Sequence, residues 1–193
     1  MRRGLRAAIV VALAGALTLT GCAEQTSLGG YGPLEALEAV DQFPPDQRQA
    51  PVEFSGITET GDEWRSDDHL GDVVIVNFWY AGCPPCRIEA DDLELALDRL
   101  EGEDVTMIGV NVEDSAATVQ TFQREFDVSY PSILDAEGAA VRLAFAGSIA
   151  PNAIPTTLVL DREGRVAARL LGAIDGSEST LRTLVDDVLA ETS

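Results

Sequence analysis

An α/β fold with a mixed central sheet flanked by helices is predicted by three features of the sequence. Predicted strands and helices alternate over most of the chain, which is typical of a largely parallel sheet. Near the end, two strands are separated by a turn, so a hairpin adds antiparallel strands. The chain has 193 residues, of which 46% are hydrophobic, which is enough for one domain with a substantial core.

The most informative stretch is a strand followed by two cysteines and a helix. The near-continuous hydrophobicity of Val73–Trp79 predicts a central strand that is covered on both faces. Cys83 and Cys86 follow, and a helix is predicted from Pro84 to about Leu100. A helix N-terminus carries free N–H groups and partial positive charge, so a thiolate is favoured there. We therefore expect Cys83 to be a nucleophile and Cys86, further into the helix and more buried, to be its resolving thiol.

A cysteine pair with this spacing has three other interpretations. A structural zinc site needs about four ligands, whereas the chain offers three cysteines and one histidine, His69. Covalent haem attachment needs a histidine directly after the second cysteine, and Arg87 occupies that position. A purely structural disulfide stays open, although so small a loop gains little stabilisation. No metal or cofactor is therefore expected.

The charge of the chain argues against two classes of partner. The sequence has 33 acidic and 13 basic residues, with a formal net charge of −20. Nucleic acid and anionic membrane surfaces are unfavourable partners for such a charge. The basic residues are all arginine, and the absence of lysine excludes Schiff-base chemistry.

Residues 1–21 are predicted to be an export signal. Arginines at positions 2, 3 and 6 precede an apolar run, Ala7–Leu19. The segment Leu19–Cys22 resembles the bacterial lipobox, which implies cleavage and lipidation of Cys22 and anchorage outside the cytoplasm on the bacterial cell membrane. The chain has three cysteines, so lipidation of Cys22 leaves one pair, Cys83 and Cys86. A plain secretory peptide with an incidental cysteine is the alternative.

Residues 22–50 are predicted to be a flexible tether, and residues 51–193 the folded domain. The tether is rich in Gly, Gln, Pro and Glu, with a possible helical turn at Leu34–Val40. The domain should begin with a hairpin of Glu53–Ile57 and Glu63–Arg65 around a Thr-Gly-Asp turn. One helical turn follows, where His69 is expected at the surface.

The remaining elements follow from periodicity and turn residues. Residues 113–115 are expected to cap a helix that runs to about residue 127. The other predicted elements are strands at 105–112, 128–135, 156–160 and 165–171, and helices at 139–145 and 178–190.

Several segments together resemble the thioredoxin superfamily, and within it the membrane-tethered TlpA/ResA-like thiol-disulfide oxidoreductases. They are the tripeptide Asn77–Trp79 with the CPPCR sequence after it, the YPSILD sequence from Tyr130, and the IPTT sequence from Ile154. The resemblance covers most of residues 51–190. It implies a thioredoxin-like fold in which residues 114–152 form an inserted helix and strand.

The resemblance also implies roles for particular residues. Pro155 matches a cis-proline opposite the cysteines, the main chain of Ile154 would pair with an extended substrate, and Trp79 would lie at the substrate side. Asn77 replaces a buried aspartate that accepts protons in simple thioredoxins. Glu89 matches a functional glutamate and is assigned the handling of the Cys86 proton. The alternative is that Glu89 is one more solvated carboxylate.

The activity implied is reduction of disulfides in other proteins. Apocytochrome c cysteines are the substrates most often assigned to such proteins, and a membrane thiol donor would supply electrons. Two alternatives stay open: a net disulfide oxidase, since sequence does not set the direction of electron flow, and a copper-binding or chaperone module that uses both sulfurs as ligands.

Overall fold

A computed structural model describes residues 39–149 and 153–191. The predicted export signal, Cys22 and residues 23–38 of the predicted tether lie outside the described residues. Within the described ranges, none of the helices is both long enough and apolar enough to cross a membrane.

The described residues form eight strands, four α-helices and a short 3-10 helix at Ser66–His69. The strands are β1 (Ala39–Gln42), β2 (Ser55–Ile57), β3 (Glu63–Arg65), β4 (Val73–Trp79), β5 (Val105–Asn111), β6 (Ser132–Leu134), β7 (Thr156–Leu160) and β8 (Val166–Leu171). The helices are α1 (Pro84–Asp98), α2 (Ala116–Glu125), α3 (Ala140–Ala144) and α4 (Glu178–Leu189).

A six-stranded mixed sheet organises the domain, in the order β1-β8-β7-β4-β5-β6. Strand β4 runs parallel to β5, and β5 runs parallel to β6. Strands β7, β8 and β1 are each antiparallel to their neighbours. All seven residues of β4 are buried, which confirms the central strand. The predicted hairpin is also confirmed, as the two-stranded sheet of β2 and β3.

Two apolar cores lie against the sheet. The first joins buried residues of β4 and β5 to the apolar faces of α1 and α4, including Leu93 and Leu181. The second contains Phe54 and Trp64 from the hairpin region together with Phe78 and Phe145. Helix α2, strand β6 and α3 fall between β5 and β7, where the inserted segment was expected.

The predicted domain boundary at residue 51 is wrong. Strand β1 pairs with β8, with Ala39 opposite Leu171 and Gln42 opposite Ala168. The side chain of Arg48 is buried, and its guanidinium binds the carboxylates of Asp161 and Glu191. Residues 39–50 therefore belong to the fold. A short edge strand and one buried arginine are enough to hold this segment despite its polar composition.

Smaller differences concern the ends of elements and one side chain. The predicted strand at 128–135 is only three residues long, as β6, and α1 ends at Asp98 instead of near Leu100. His69 is half-buried, and its ring stacks on Trp64 with ring centroids 4.8 Å apart. It is therefore a packed residue at the domain surface.

Candidate redox site

The two cysteines lie at the start of α1 and are joined by a disulfide bond. Cys83 is the N-cap residue of this helix, and its Sγ accepts the N–H of Cys86 at 3.2 Å. Pro84 and Pro85 fill the first helical positions, where a missing N–H costs least. The placement of the pair at a helix N-terminus is confirmed.

Burial does not distinguish the two sulfurs. Cys83 is 2% exposed and Cys86 is 3% exposed, so the expectation that Cys86 is more buried is wrong. The two cysteines are about equally buried because both pack in one apolar cluster, together with Trp79, Ala90, Val119 and Phe122. The difference between the sulfurs is one of position on the helix, since Cys83 holds the N-cap and accepts an N–H.

Trp79 lies under the cysteine loop and is 3% exposed. Its indole N–H donates to Ser132 Oγ at 3.2 Å, and its ring contacts Phe122 with centroids 4.5 Å apart. Gly109 makes room for this bond, because a Cβ there would lie 2.8 Å from the indole nitrogen. A contact of Trp79 with substrate stays a prediction. The residue supports the site from below.

The Ile154–Pro155 peptide bond is cis, as predicted. Ile154 is half-buried and packs against the cluster that contains the cysteines. The Pro155 carbonyl accepts the N–H of Gly172 at 3.0 Å. No hydrogen bond to the main chain of Ile154 is present among the described residues. This segment therefore borders the cysteines with main-chain groups that an extended peptide could engage.

Glu89 lies one helical turn after Cys86 and is 1% exposed. Its Oε1 accepts the side-chain N–H of Asn77 at 2.9 Å, and its Oε2 accepts the N–H of Ile174 at 3.2 Å. The same Asn77 amide donates to Thr157 Oγ1 at 3.1 Å. Glu89 is thus held by α1, β4 and the segment after β8. The alternative of a solvated surface carboxylate is excluded.

Burial raises the pKa of Glu89 to about 8, because the ionised carboxylate loses its hydration. The hydrogen bonds from Asn77 and Ile174 oppose this shift, and the negative charge of Asp92 adds to it. No arginine or histidine pairs with Glu89 in the described part of the chain. A carboxyl group whose pKa lies near neutrality can both take up and release protons at the pH where it works.

Within the described ranges, no three histidine, cysteine, aspartate or glutamate side chains lie close enough together to hold a metal ion. Two residues that sequence reasoning did not single out contact the cysteine loop. Asp114 accepts the N–H of Ala81, and Arg87 donates to the carbonyl of the same residue. The asparagine at the end of β5 was the signal available for Asp114, because an Asn side chain favours an Asx turn with the following main-chain N–H groups.

The fold and the site define a thioredoxin-like protein with a cysteine pair of the thiol-disulfide oxidoreductase type. The model of the AhpC/TSA family matches residues 47–169, and the chain belongs to that family. The thioredoxin-like fold inferred from the motifs is therefore confirmed.

Proteins similar to this chain were found both by sequence and by structure. The chain is 27% identical over 114 residues to the thiol-disulfide oxidoreductase ResA of Geobacillus kaustophilus, covering 59% of this chain and 63% of that protein. The structure of a secreted thiol-disulfide isomerase from Corynebacterium glutamicum superposes with a TM-score of 0.71 at 28% identity, covering 84% of this chain and 97% of the other. A DsbF homologue from Corynebacterium diphtheriae gives a TM-score of 0.68 at 30% identity, covering 82% and 97%. The chain thus spans less than two thirds of the length of the ResA relative.

Proposed function

We propose that this protein is an exported thiol-disulfide oxidoreductase that reduces disulfide bonds in other proteins. The observation that carries the proposal is the cysteine pair at the N-terminus of α1 with the buried carboxyl group of Glu89 one turn behind it. The family and the names of the relatives support this class of activity. The proposed direction of electron flow, from this protein to its substrate, rests on the resemblance to the TlpA/ResA-like proteins.

The reaction begins with the reduced dithiol form. The Cys83 thiolate attacks one sulfur of a substrate disulfide, forms a mixed disulfide and displaces the other substrate sulfur, which takes up a proton. Cys86 then loses its proton and attacks the Cys83 sulfur. The second substrate thiolate leaves, and the disulfide between Cys83 and Cys86 forms. The substrate gains two electrons, and the protein loses them.

Glu89 is proposed to accept the proton that Cys86 loses. Both residues are buried on the same helix, one turn apart, and water has little access to either. With its pKa raised to about 8 by burial, Glu89 is mostly protonated at neutral pH, and the ionised fraction is more basic than an ordinary carboxylate. A group of this kind is well matched to a thiol, because its pKa is close to that of cysteine.

The proposed substrate segment is an extended peptide next to Ile154. The half-buried side chain of Ile154 and the main chain around the Pro155 cis peptide border the cysteines. An extended segment on either side of a substrate cysteine could form main-chain hydrogen bonds there, as in strand addition. Apocytochrome c cysteines are the substrate proposed on the basis of the resemblance.

The proposed location is outside the cytoplasm, on the cell membrane. The supporting observations are the export-signal pattern of residues 1–21, the lipobox-like sequence that ends at Cys22, and the secreted relative from Corynebacterium glutamicum. Residues 23–38 would then be the tether. A membrane thiol donor would return electrons to the disulfide, because an oxidising exterior does not supply them.

The proposal is tested with the domain from residue 39 onward in an insulin-reduction assay with dithiothreitol. Cys83→Ser should abolish the catalysed reduction. Cys86→Ser, reduced and then freed of dithiothreitol before insulin is added, should accumulate mixed disulfides that mass spectrometry assigns to Cys83. Equal trapping by both variants would overturn the assigned roles. A reduction potential close to that of strong oxidants such as DsbA, about −120 mV, would instead favour a net oxidase.

A further inference from the structure

The loop before Cys83 is held where the main-chain pairing of β4 and β5 ends. The last bond of this ladder joins the carbonyl of Trp79 to the N–H of Val112 at 3.0 Å. In a parallel pair the next bond would join the N–H of Ala81 to the carbonyl of Val112. That N–H instead donates to Asp114 Oδ2 at 2.6 Å. A side-chain carboxylate thus continues the ladder after the two backbones have separated.

Asp114 is set in place by a fully buried residue, Asn111. The Asn111 Oδ1 accepts the N–H of Asp114 at 2.7 Å and that of Glu113 at 3.2 Å. Its side-chain amide donates to Asp114 Oδ2 at 2.9 Å. The same carboxylate oxygen therefore accepts from Asn111 and from Ala81. The sequence pattern predicted that residues 113–115 cap α2, but the side chain of Asp114 is directed to the cysteine loop.

The carbonyl group of Ala81 is bound by a residue of α1. Arg87 donates through Nη1 to the carbonyl of Ala81 at 3.3 Å. Its Nη2 donates to Glu125 at 2.7 Å, and its guanidinium lies 4.6 Å from the centre of the Phe126 ring. Both main-chain polar groups of Ala81 are thus bound by charged side chains, one after β5 and one in α1.

These bonds matter because Ala81 lies two residues before Cys83. The N–H of Cys83 donates to the carbonyl of Tyr80 at 3.1 Å, so residues 80–83 form one turn. A turn whose second residue is fixed keeps Cys83 in the N-cap position, where its sulfur accepts the N–H of Cys86. In the disulfide form the covalent ring also restrains the loop. In the dithiol form only the non-covalent bonds remain.

We propose that Asp114 is a positioning residue for the redox reaction, which holds Cys83 at the N-terminus of α1 when the disulfide is open. This inference rests on the proposed role of Cys83 as nucleophile. Asp114 acts through Ala81 and makes no contact with the reacting sulfur in the described structure. Its loss therefore affects how often Cys83 occupies the position that favours its thiolate, and hence the rate of attack.

The test is the rate at which iodoacetamide alkylates the reduced protein at pH 7, with the modified cysteine identified by mass spectrometry. Asp114→Ala should slow alkylation of Cys83 by about tenfold, because the thiolate is stabilised only in the N-cap position. Asp114→Asn should stay within about twofold of the wild type, because an amide oxygen can accept the same two hydrogen bonds. Glu113→Ala is the matched control, since the side chain of Glu113 is exposed, and it should have no effect.

Amide hydrogen exchange of the reduced protein is a second readout. The Ala81 amide should lose protection in Asp114→Ala and keep it in Asp114→Asn, with β4 protection unchanged in both. If Asp114→Ala does not fold, Asp114→Glu carries the same test, because it keeps the charge but moves the carboxylate by one methylene.

The inference is overturned if Cys83 is alkylated at one rate in all variants, or if Asp114→Asn is as slow as Asp114→Ala. Preferential alkylation of Cys86 in the wild type would instead overturn the proposed nucleophile, so the two failures are distinguishable.

Discussion

Two buried carboxyl groups in this domain have opposite surroundings. Asp161, in the turn between β7 and β8, is 2% exposed and binds Arg48 at 2.9 Å and Arg165 at 2.8 Å. Its Oδ1 also accepts the N–H groups of Glu163 and Arg165. Glu89 is 1% exposed, but its described partners are the neutral amide of Asn77 and one main-chain N–H.

The two groups differ in whether a cation binds them. Arg48 binds the carboxylate of Asp161 and so joins distant segments, namely residues 43–48, the β7–β8 turn and the segment after α4. A buried carboxyl group without a cation has a raised pKa, and its proton can be exchanged near neutral pH. The predictions below test this contrast.

Removing the charge of Asp161 should cause the largest loss of stability. Among the described residues, Asp161→Ala leaves Arg48 with Glu191 as its only carboxylate partner, and it removes the acceptor for two turn N–H groups. Breaking a buried ion pair on one side costs about 3–5 kcal/mol. Urea unfolding of the oxidised domain measures this, with Glu163→Ala as the exposed control. A loss under about 1 kcal/mol would show that Asp161 is not a structural anchor.

Glu89 should make the stability of the oxidised domain depend on pH. The native state keeps the Glu89 proton up to a pKa of about 8, whereas the unfolded chain releases it near 4.5. The native state therefore binds more protons between these values, and stability is lost as the pH rises. We expect a loss of about 3 kcal/mol from pH 5 to pH 8.

Glu89→Gln is the matched variant for this pH dependence, because it stays neutral in both states. Its unfolding free energy should be much flatter over the same range than that of the wild type. The other titrating groups are common to both proteins, so the difference between the two curves isolates Glu89. Parallel curves would mean that Glu89 is ionised in the native state at pH 5.

The proposed role of Glu89 as proton acceptor should appear as a smaller effect, on the rate of disulfide exchange. Glu89→Gln removes the proton acceptor for Cys86, and disulfide exchange near neutral pH should fall by about tenfold or more, since positioned proton transfer contributes about 10²–10⁴. Stopped-flow release of substrate from the mixed disulfide measures this step. Asp91→Asn is the control, because Asp91 is exposed on the same helix, and equal rates for the two variants would remove Glu89 from the mechanism.

Glu94 is a poorer control than Asp91, because its carboxylate accepts the N–H of Ser129 at 2.8 Å. An amide at this position would change a contact with the segment after α2 as well as a charge. Asp91 has no such contact among the described residues.

The smallest effect is expected for Arg165→Gln. Arg165 is partly exposed, and Arg48 continues to bind Asp161 when it is replaced. Partly exposed ion pairs contribute about 1 kcal/mol or less. The same urea titration should therefore show a much smaller change than Asp161→Ala. A loss as large as that of Asp161→Ala would mean that Arg48 does not compensate the buried charge.

The sequence predicted the parts of this site that depend on local patterns. The cysteine pair follows a strand and begins a helix, so its place at the N-terminus of α1 could be inferred from neighbouring residues. The burial of β4 followed from its hydrophobicity. The cis peptide before Pro155 and the role of Glu89 came from the resemblance, because nothing in the local sequence indicates either.

The features that were missed depend on contacts between distant residues. The partners of Arg48 lie 113 and 143 positions away in the sequence, so residues 39–50 looked like a tether. The burial of Trp79 depends on Phe122 in α2 and on Ser132, which are distant in the sequence. The sequence pattern indicated a helix cap for Asp114. Its role as acceptor for the Ala81 N–H could not be predicted, because that role depends on where the backbones of β4 and β5 separate.

The register of β1 fixes where the chain enters the domain. Ala39 in β1 is opposite Leu171 in β8, and Leu171 is opposite Thr156 in β7. Thr156 is in turn opposite Phe78 in β4, which lies five residues before Cys83. The first described residue thus lies at the same end of the sheet as the cysteines, three strands or about 14 Å to the side. The chain therefore enters the described domain at the end of the sheet that carries the cysteines, and not at the opposite end.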